Sequence, residues 1–140
     1  MSTKKNKALL YRLFDLLNSK QLDAYYGLFG AAYVAHAPNG DISLEVTKRI
    51  DEGLFSAFPD YNFTIDDVIA EGDKLAFRST FSGTHTAAWS GVPPTGKKKT
   101  FSMFYITKIF KGKFVEDWFL TDLTQLMQEL GVNPFQYFST

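Results

Sequence analysis

The chain has 140 residues, no cysteine, and fifteen basic side chains matched by fifteen acidic ones. That length suits one domain, 1–140, large enough to bury roughly two thirds of the surface of its unfolded chain. Charge balance argues against a nucleic-acid tract or an acidic tail, and the lack of cysteine excludes disulfides, thiolate nucleophiles and cysteine zinc sites.

In chain order, residues 7–18 place Leu9, Leu10, Leu13, Phe14, Leu16 and Leu17 on one broad apolar face, with Ser2 or Thr3 available as a cap. Lys4, Lys5 and Lys7 precede Ala8-Leu9-Leu10 as in a leader, but Arg12 and Asp15 interrupt the apolar run. No stretch approaches the roughly 20 apolar residues that span a bilayer. The expectation is therefore a cytoplasmic protein that binds neither membrane nor nucleic acid. Leu22, Tyr25, Tyr26, Leu28 and Phe29 predict a second, short helix ending at Gly30. Residues 33–40 predict an extended segment closed by a turn at Pro38-Asn39-Gly40, with His36 near its end. Ser43 caps a third predicted helix in which Val46, Ile50, Leu54 and Phe58 recur every four residues until Pro59 stops it.

From Tyr61 the period becomes two. Strands are predicted over 61–70 and 74–84, joined by Glu71-Gly72-Asp73. Gly83-Thr84-His85 leads into a loop, Trp89-Ser90-Gly91-Val92-Pro93-Pro94-Thr95-Gly96, too rich in Gly and Pro to continue a sheet. A strand over 100–110 follows, then a turn at Lys111-Gly112-Lys113 and a strand over 114–122. In that last strand Glu116, Trp118, Leu120 and Asp122 share one face, and Val115, Asp117, Phe119 and Thr121 the other. Leu123, Leu126, Met127 and Leu130 then fall at helical spacing before Gly131. Helices first and antiparallel strands afterwards make the fold class α+β.

Asp122 stands at the junction of strand and helix. Desolvation among Trp118, Leu120 and Leu123 raises the basicity of such a carboxylate, whereas a bond to a helix-terminal amide lowers it; base and cap are both open to it. Arg78 is placed to neutralise an acidic substrate group or to pair with Glu116. His36, His85 and Asp122 together match a two-histidine, one-carboxylate iron site in composition, though no local spacing motif supports one.

The series Phe58-Pro59-Asp60, Glu71-Gly72-Asp73, Gly83-Thr84-His85, Gly91-Val92-Pro93-Pro94-Thr95-Gly96, Glu116-Asp117-Trp118, Asp122 and Gln128-Glu129-Leu130-Gly131 resembles the SnoaL-like polyketide (ester) cyclase family. The resemblance implies the cone-shaped α+β barrel of the nuclear transport factor two-like superfamily, in which three helices close a strongly curved sheet around a pocket, followed by a short C-terminal helix. It implies aldol-type ring closure without metal or cofactor, with Asp122 as general base and His85 and His36 assisting at the substrate's oxygens. The pocket is then supplied by Trp118, Tyr105, Arg78, Trp89, Phe77 and Phe104, the ligand is a small hydrophobic carbonyl compound, and the loop 89–96 serves as a lid. Isomerisation or dehydration through an enolate uses the same parts, and a non-catalytic binder of the same fold is the alternative from another class. The family's habit of associating through the exposed side of its sheet, with aromatics on both faces of the strands over 100–119, predicts a homodimer.

Overall fold

A computed structural model describes residues 2–124. Helix α1 (Thr3–Asn18) opens on Ser2, whose Oγ accepts the Lys5 amide at 3.3 Å, and buries Leu10, Leu13, Phe14, Leu16 and Leu17. Helix α2 (Leu22–Tyr26) is shorter than the apolar spacing predicts. The Leu28 carbonyl accepts the Phe114 amide at 2.9 Å, so the chain joins the sheet before reaching Gly30. Phe29 therefore opens strand β1 (Phe29–Ala37), which turns through Pro38 and Asn39 into β2 (Gly40–Ser43). Helix α3 (Leu44–Ala57) begins where the Ser43 Oγ accepts the Val46 amide at 3.2 Å, and it ends just before Phe58-Pro59, as predicted.

Strands β3 (Asn62–Glu71), β4 (Lys74–Thr84), β5 (Lys98–Phe110) and β6 (Lys113–Asp122) follow as a meander. The sheet order is β2-β1-β6-β5-β4-β3, and every neighbouring pair is antiparallel except β1 with β6. The fold is thus α+β with a six-stranded mixed sheet. Among the described residues β2 and β3 are the edge strands and the sheet does not close on itself, so helices on a mixed sheet are present as the cone-shaped fold implies, without a closed ring of strands. Edge β3 is partly covered by α1, where the Asn18 side chain donates to the Phe63 carbonyl at 2.7 Å and accepts its amide at 2.8 Å, acting as one more rung of the ladder. The predicted last helix, with Gly131 behind it, lies outside the described residues apart from Leu123 and Thr124. Among the described residues no helix is long and apolar enough to cross a membrane.

Alternation divides the strands between two faces. The inner face carries Leu75, Phe77, Ser79 and Phe81 from β4 opposite Thr107, Tyr105, Met103 and Phe101 from β5. Two apolar clusters result, one around Leu10, Phe14, Phe77 and Phe114, the other around Phe58, Phe81 and Phe101. The second is closed at Gly83, where an added Cβ would come within 2.9 Å of the Phe58 Cβ. Since Phe58 is fully buried and cannot retreat, Gly83→Ala is expected to lower stability by about 1–3 kcal/mol in denaturant unfolding, the usual cost of overpacking.

Candidate functional site

The inner face of the sheet and one stripe of α3 border a cavity of about 190 Å³, partly open beside Ile50, which is 53% exposed. The stripe is Thr47, Ile50, Asp51 and Leu54, spaced i, i+3, i+4, i+7 as one helical face must be. Opposite it, Phe77, Tyr105 and Phe119 form a stacked row across three strands, with ring centroids 4.9 and 5.5 Å apart. A cavity of about 150 Å³ is enough to hold benzene. This one therefore suits a molecule of about one ring.

Polar groups enter this apolar space at defined points. Because β1 runs parallel to β6 with Ala35 beside Asp117, Tyr33 reaches Asp117 across 84 positions of sequence and donates its hydroxyl to Oδ2. Asp117 is 8% exposed, and its Oδ1 has no hydrogen-bond partner. Burial pushes the Asp117 carboxyl up, against the pull of the Thr107 and Tyr33 hydroxyls. Burial, and the charge of Asp117, push the Tyr33 phenol up in turn. Ser79 Oγ, also facing the cavity, is buried without a partner. On the helix side the Tyr26 hydroxyl donates to Asp51 Oδ2 at 2.7 Å, and burial raises Asp51 to about 6 although that bond pulls the other way. Two desolvated carboxylates and several phenols thus line one apolar chamber. Such a chamber can take up a carbonyl compound and move its protons.

The sequence-predicted residues are distributed differently. Of the six expected to bind substrate, Phe77 and Tyr105 line the cavity. Trp118, Phe104 and Arg78 lie on the outer face of the sheet, where they border an open groove with His36 and share its floor with the outer sides of Phe77 and Tyr105. Arg78 pairs with Asp66 at 3.7 Å rather than with Glu116, whose carboxylate is taken by His36. Trp89 packs on Phe58 and Phe101 at 5.6 and 5.5 Å, away from the cavity.

His36 stacks on Trp118 and is bracketed by Asp41 and Glu116, each at 2.6 Å; hydrogen bonds with Glu116 and then Asp41 raise its imidazole above the usual value. His85 is buried against Phe58, with Nδ1 3.3 Å from the Thr95 hydroxyl and Nε2 unpartnered, and it is not among the described residues lining the cavity. Asp122 is exposed. Its Oδ1 accepts the Thr124 amide at 2.9 Å, and the Thr124 side chain and backbone hold the carboxyl below its ordinary range. That bond is the kind a capping carboxylate makes, and the helix it would cap lies outside the described residues. Asp122, His36 and His85 are not brought together, and no group of three or more His, Asp or Glu that could hold a metal ion occurs among the described residues.

Sequence reasoning missed Asp51, Asp117, Tyr33 and Ser79. The alternation in β6 was legible, but Trp118 was expected to line the pocket; the structure turns the face with Asp117, Phe119 and Thr121 to the cavity instead. In α3 the spacing 46, 50, 54, 58 hides the adjacent stripe 47, 50, 51, 54. An acid at an inward position of an amphipathic helix was the available signal.

The SnoaL-like polyketide cyclase family model matches residues 7–130. The chain belongs to that family. Similar solved structures agree. A candidate hydroxylase from Streptomyces galilaeus, AclR, superposes with a TM-score of 0.87 at 27% identity, covering 93% of this SnoaL-like chain and 98% of its own. IdmH, a candidate polyketide cyclase from Streptomyces antibioticus, gives 0.78 at 26% identity over 90% and 98%. TsrD from Streptomyces laurentii, at 24% identity with a TM-score of 0.80 over 94% and 98%, shares the fold. Among curated proteins there is no match. The fold of this SnoaL-like protein is accordingly that of the nuclear transport factor two-like superfamily.

Burial of Asp51 carries a stability signature. Its folded value of about 6 lies above the unfolded value of about 3.9, so its contribution is most favourable below pH 4 and is lost as pH rises through 6. Asp51→Asn is therefore expected to stabilise the SnoaL-like fold at pH 7 by on the order of 2 kcal/mol, with the gain disappearing near pH 4 in parallel denaturation curves.

Proposed function

We propose that this SnoaL-like protein is a cofactor-independent enzyme that removes a proton from carbon next to a carbonyl, with aldol-type ring closure as the reaction. The substrate is a small hydrophobic carbonyl compound, and it occupies the inner cavity. One observation carries this reading: Asp117, held on one oxygen by Tyr33, presents its unpartnered Oδ1 in an apolar cavity. A buried polar atom without a partner is costly. A guest whose oxygen accepts a hydrogen bond from Asp117 Oδ1, in the protonated form that burial favours, removes that cost where enolate charge develops.

The strength of the base also favours the interior. Each unit separating a base from its carbon acid costs about 1.4 kcal/mol. Asp122, solvated and lowered, sits on the unfavourable side of that comparison, while the cavity carboxylates are raised. The similar structures are named as a candidate hydroxylase and a candidate cyclase, and a fold alone does not set the reaction. Acetophenone, a one-ring ketone, is a suitable probe. Wild-type protein is expected to accelerate exchange of its α-protons into D2O, followed by NMR, and Asp117→Asn to lose on the order of 100-fold of that acceleration. Binding without exchange would support a carrier instead, and a loss confined to Asp122→Asn would return the base to the end of β6.

The homodimer belongs to the same proposal. Ile69, Phe104, Ile106, Trp118 and Leu120 are exposed together on the outer face. Around them stand Lys74, Arg78 and Lys108 as well as Asp41, Asp67 and Glu116, so a two-fold copy meets opposite charge at its rim. Leu120→Glu is expected to give a monomer in sedimentation at micromolar concentration where wild type sediments as a dimer. A wild-type monomer would contradict the proposal.

A further inference from the structure

Between α2 and α3 the cavity and an outer hollow share a wall, since Phe55 lines both. Asp51 and Phe55 face the cavity, and on the other side of the same wall Tyr26 and Phe55 border a hollow open to solvent, with Leu22, Lys48 and Glu52 around it. The single polar link crossing the wall in the described residues is the bond from the Tyr26 hydroxyl to Asp51 Oδ2 at 2.7 Å. On its outer side the Lys48 ammonium lies over the Tyr26 ring, 5.3 Å from its centroid. Tyr25 of α2, Tyr61 beyond α3 and Tyr105 of β5 are the other titratable groups that feel the charge of Asp51, with Asp117 further along the same cavity.

From this placement we infer that Asp51 is the base that takes the proton from carbon, and that Tyr26 is the gate through which this proton is exchanged with solvent. The inference rests on the enolate reading above and names its acting carboxylate. The Asp51 carboxylate accepts the α-proton, the C–H electron pair becomes the carbon–carbon double bond of the enolate, and the charge gathers on the enolate oxygen. Asp117, in the protonated form that burial favours, holds that oxygen by donating from Oδ1 while Oδ2 keeps the Tyr33 hydroxyl. Asp51 then passes its proton to the Tyr26 oxygen as Tyr26 releases its own hydroxyl proton to water in the outer hollow. In ring closure the enolate carbon bonds to a second carbonyl carbon, and the resulting alkoxide takes up a proton returning along the same path, so none is gained or lost. A tie between helices alone does not require an acid at this position. Asparagine would accept the same phenol without the desolvation of a charge.

The test is the pH dependence of acetophenone α-proton exchange into D2O for wild type, Asp51→Asn, Tyr26→Phe and Asp117→Asn, beside the 13C titration of the Asp51 carboxyl. Wild-type exchange is expected to rise with one ionisation near pH 6, matching the carboxyl midpoint. Asp51→Asn is expected to lose at least 100-fold. Tyr26→Phe is expected to lose about tenfold and to move both the rate profile and the midpoint upward, because the bond it removes favours the ionised form. Since Asp51→Asn is expected to be the more stable protein at neutral pH, a lost rate is not a lost fold. Exchange that survives Asp51→Asn but falls in Asp117→Asn would overturn this inference and leave the enolate reading standing. No exchange by wild type would overturn both, and a Tyr26→Phe protein with wild-type exchange would remove the gate.

Discussion

The parallel pairing of β1 with β6 is the constraint on which the site depends. The meander β3-β4-β5-β6 pairs strands that are neighbours in sequence. Laying β1 along its far edge brings Tyr33 to Asp117 and gives a buried acid one partner. It also positions the turn into β2 and hence the start of α3, which carries Asp51 over the cavity. Both carboxylates reach the interior through that one long-range contact, one from the sheet and one from the helix above it.

Neither acid is a stabilising feature of the fold. Ionised groups in apolar surroundings oppose folding unless they are fully bonded, and Asp117 Oδ1 and Ser79 Oγ are both unpartnered. A protein that retains such groups where Asn, Ala or Leu would pack better gives up stability, a trade that active sites commonly make. The aromatic row Phe77–Tyr105–Phe119 supplies the opposite property, a flat apolar floor with no hydrogen-bonding demand apart from one phenol.

Much of this architecture was legible. Ser2 and Ser43 as helix caps, Phe58-Pro59 as a helix stop, the turn at Glu71-Gly72-Asp73 and the meander that follows all depend on local chemistry that short stretches encode. Phe29 was misread as helical because its partner, β6, is remote in sequence. Alternation in β6 separated Asp117 from Trp118 correctly, but it could not say which face turns inward; in this SnoaL-like chain the apolar Trp118 face is left outside, where a second copy of the chain is proposed to cover it. His36 and His85 stood out in the sequence because histidine is rare here. The structure gives one a bracket of two carboxylates on the outer face and the other a buried stack on Phe58.

A crystal structure of the protein soaked with acetophenone addresses the central claim most directly. The ring is expected to lie along Phe77, Tyr105 and Phe119, with its oxygen toward Asp117 and its methyl carbon toward Asp51. A ketone seated instead in the outer groove beside Trp118, or against Asp122 with the inner cavity unoccupied, would contradict it.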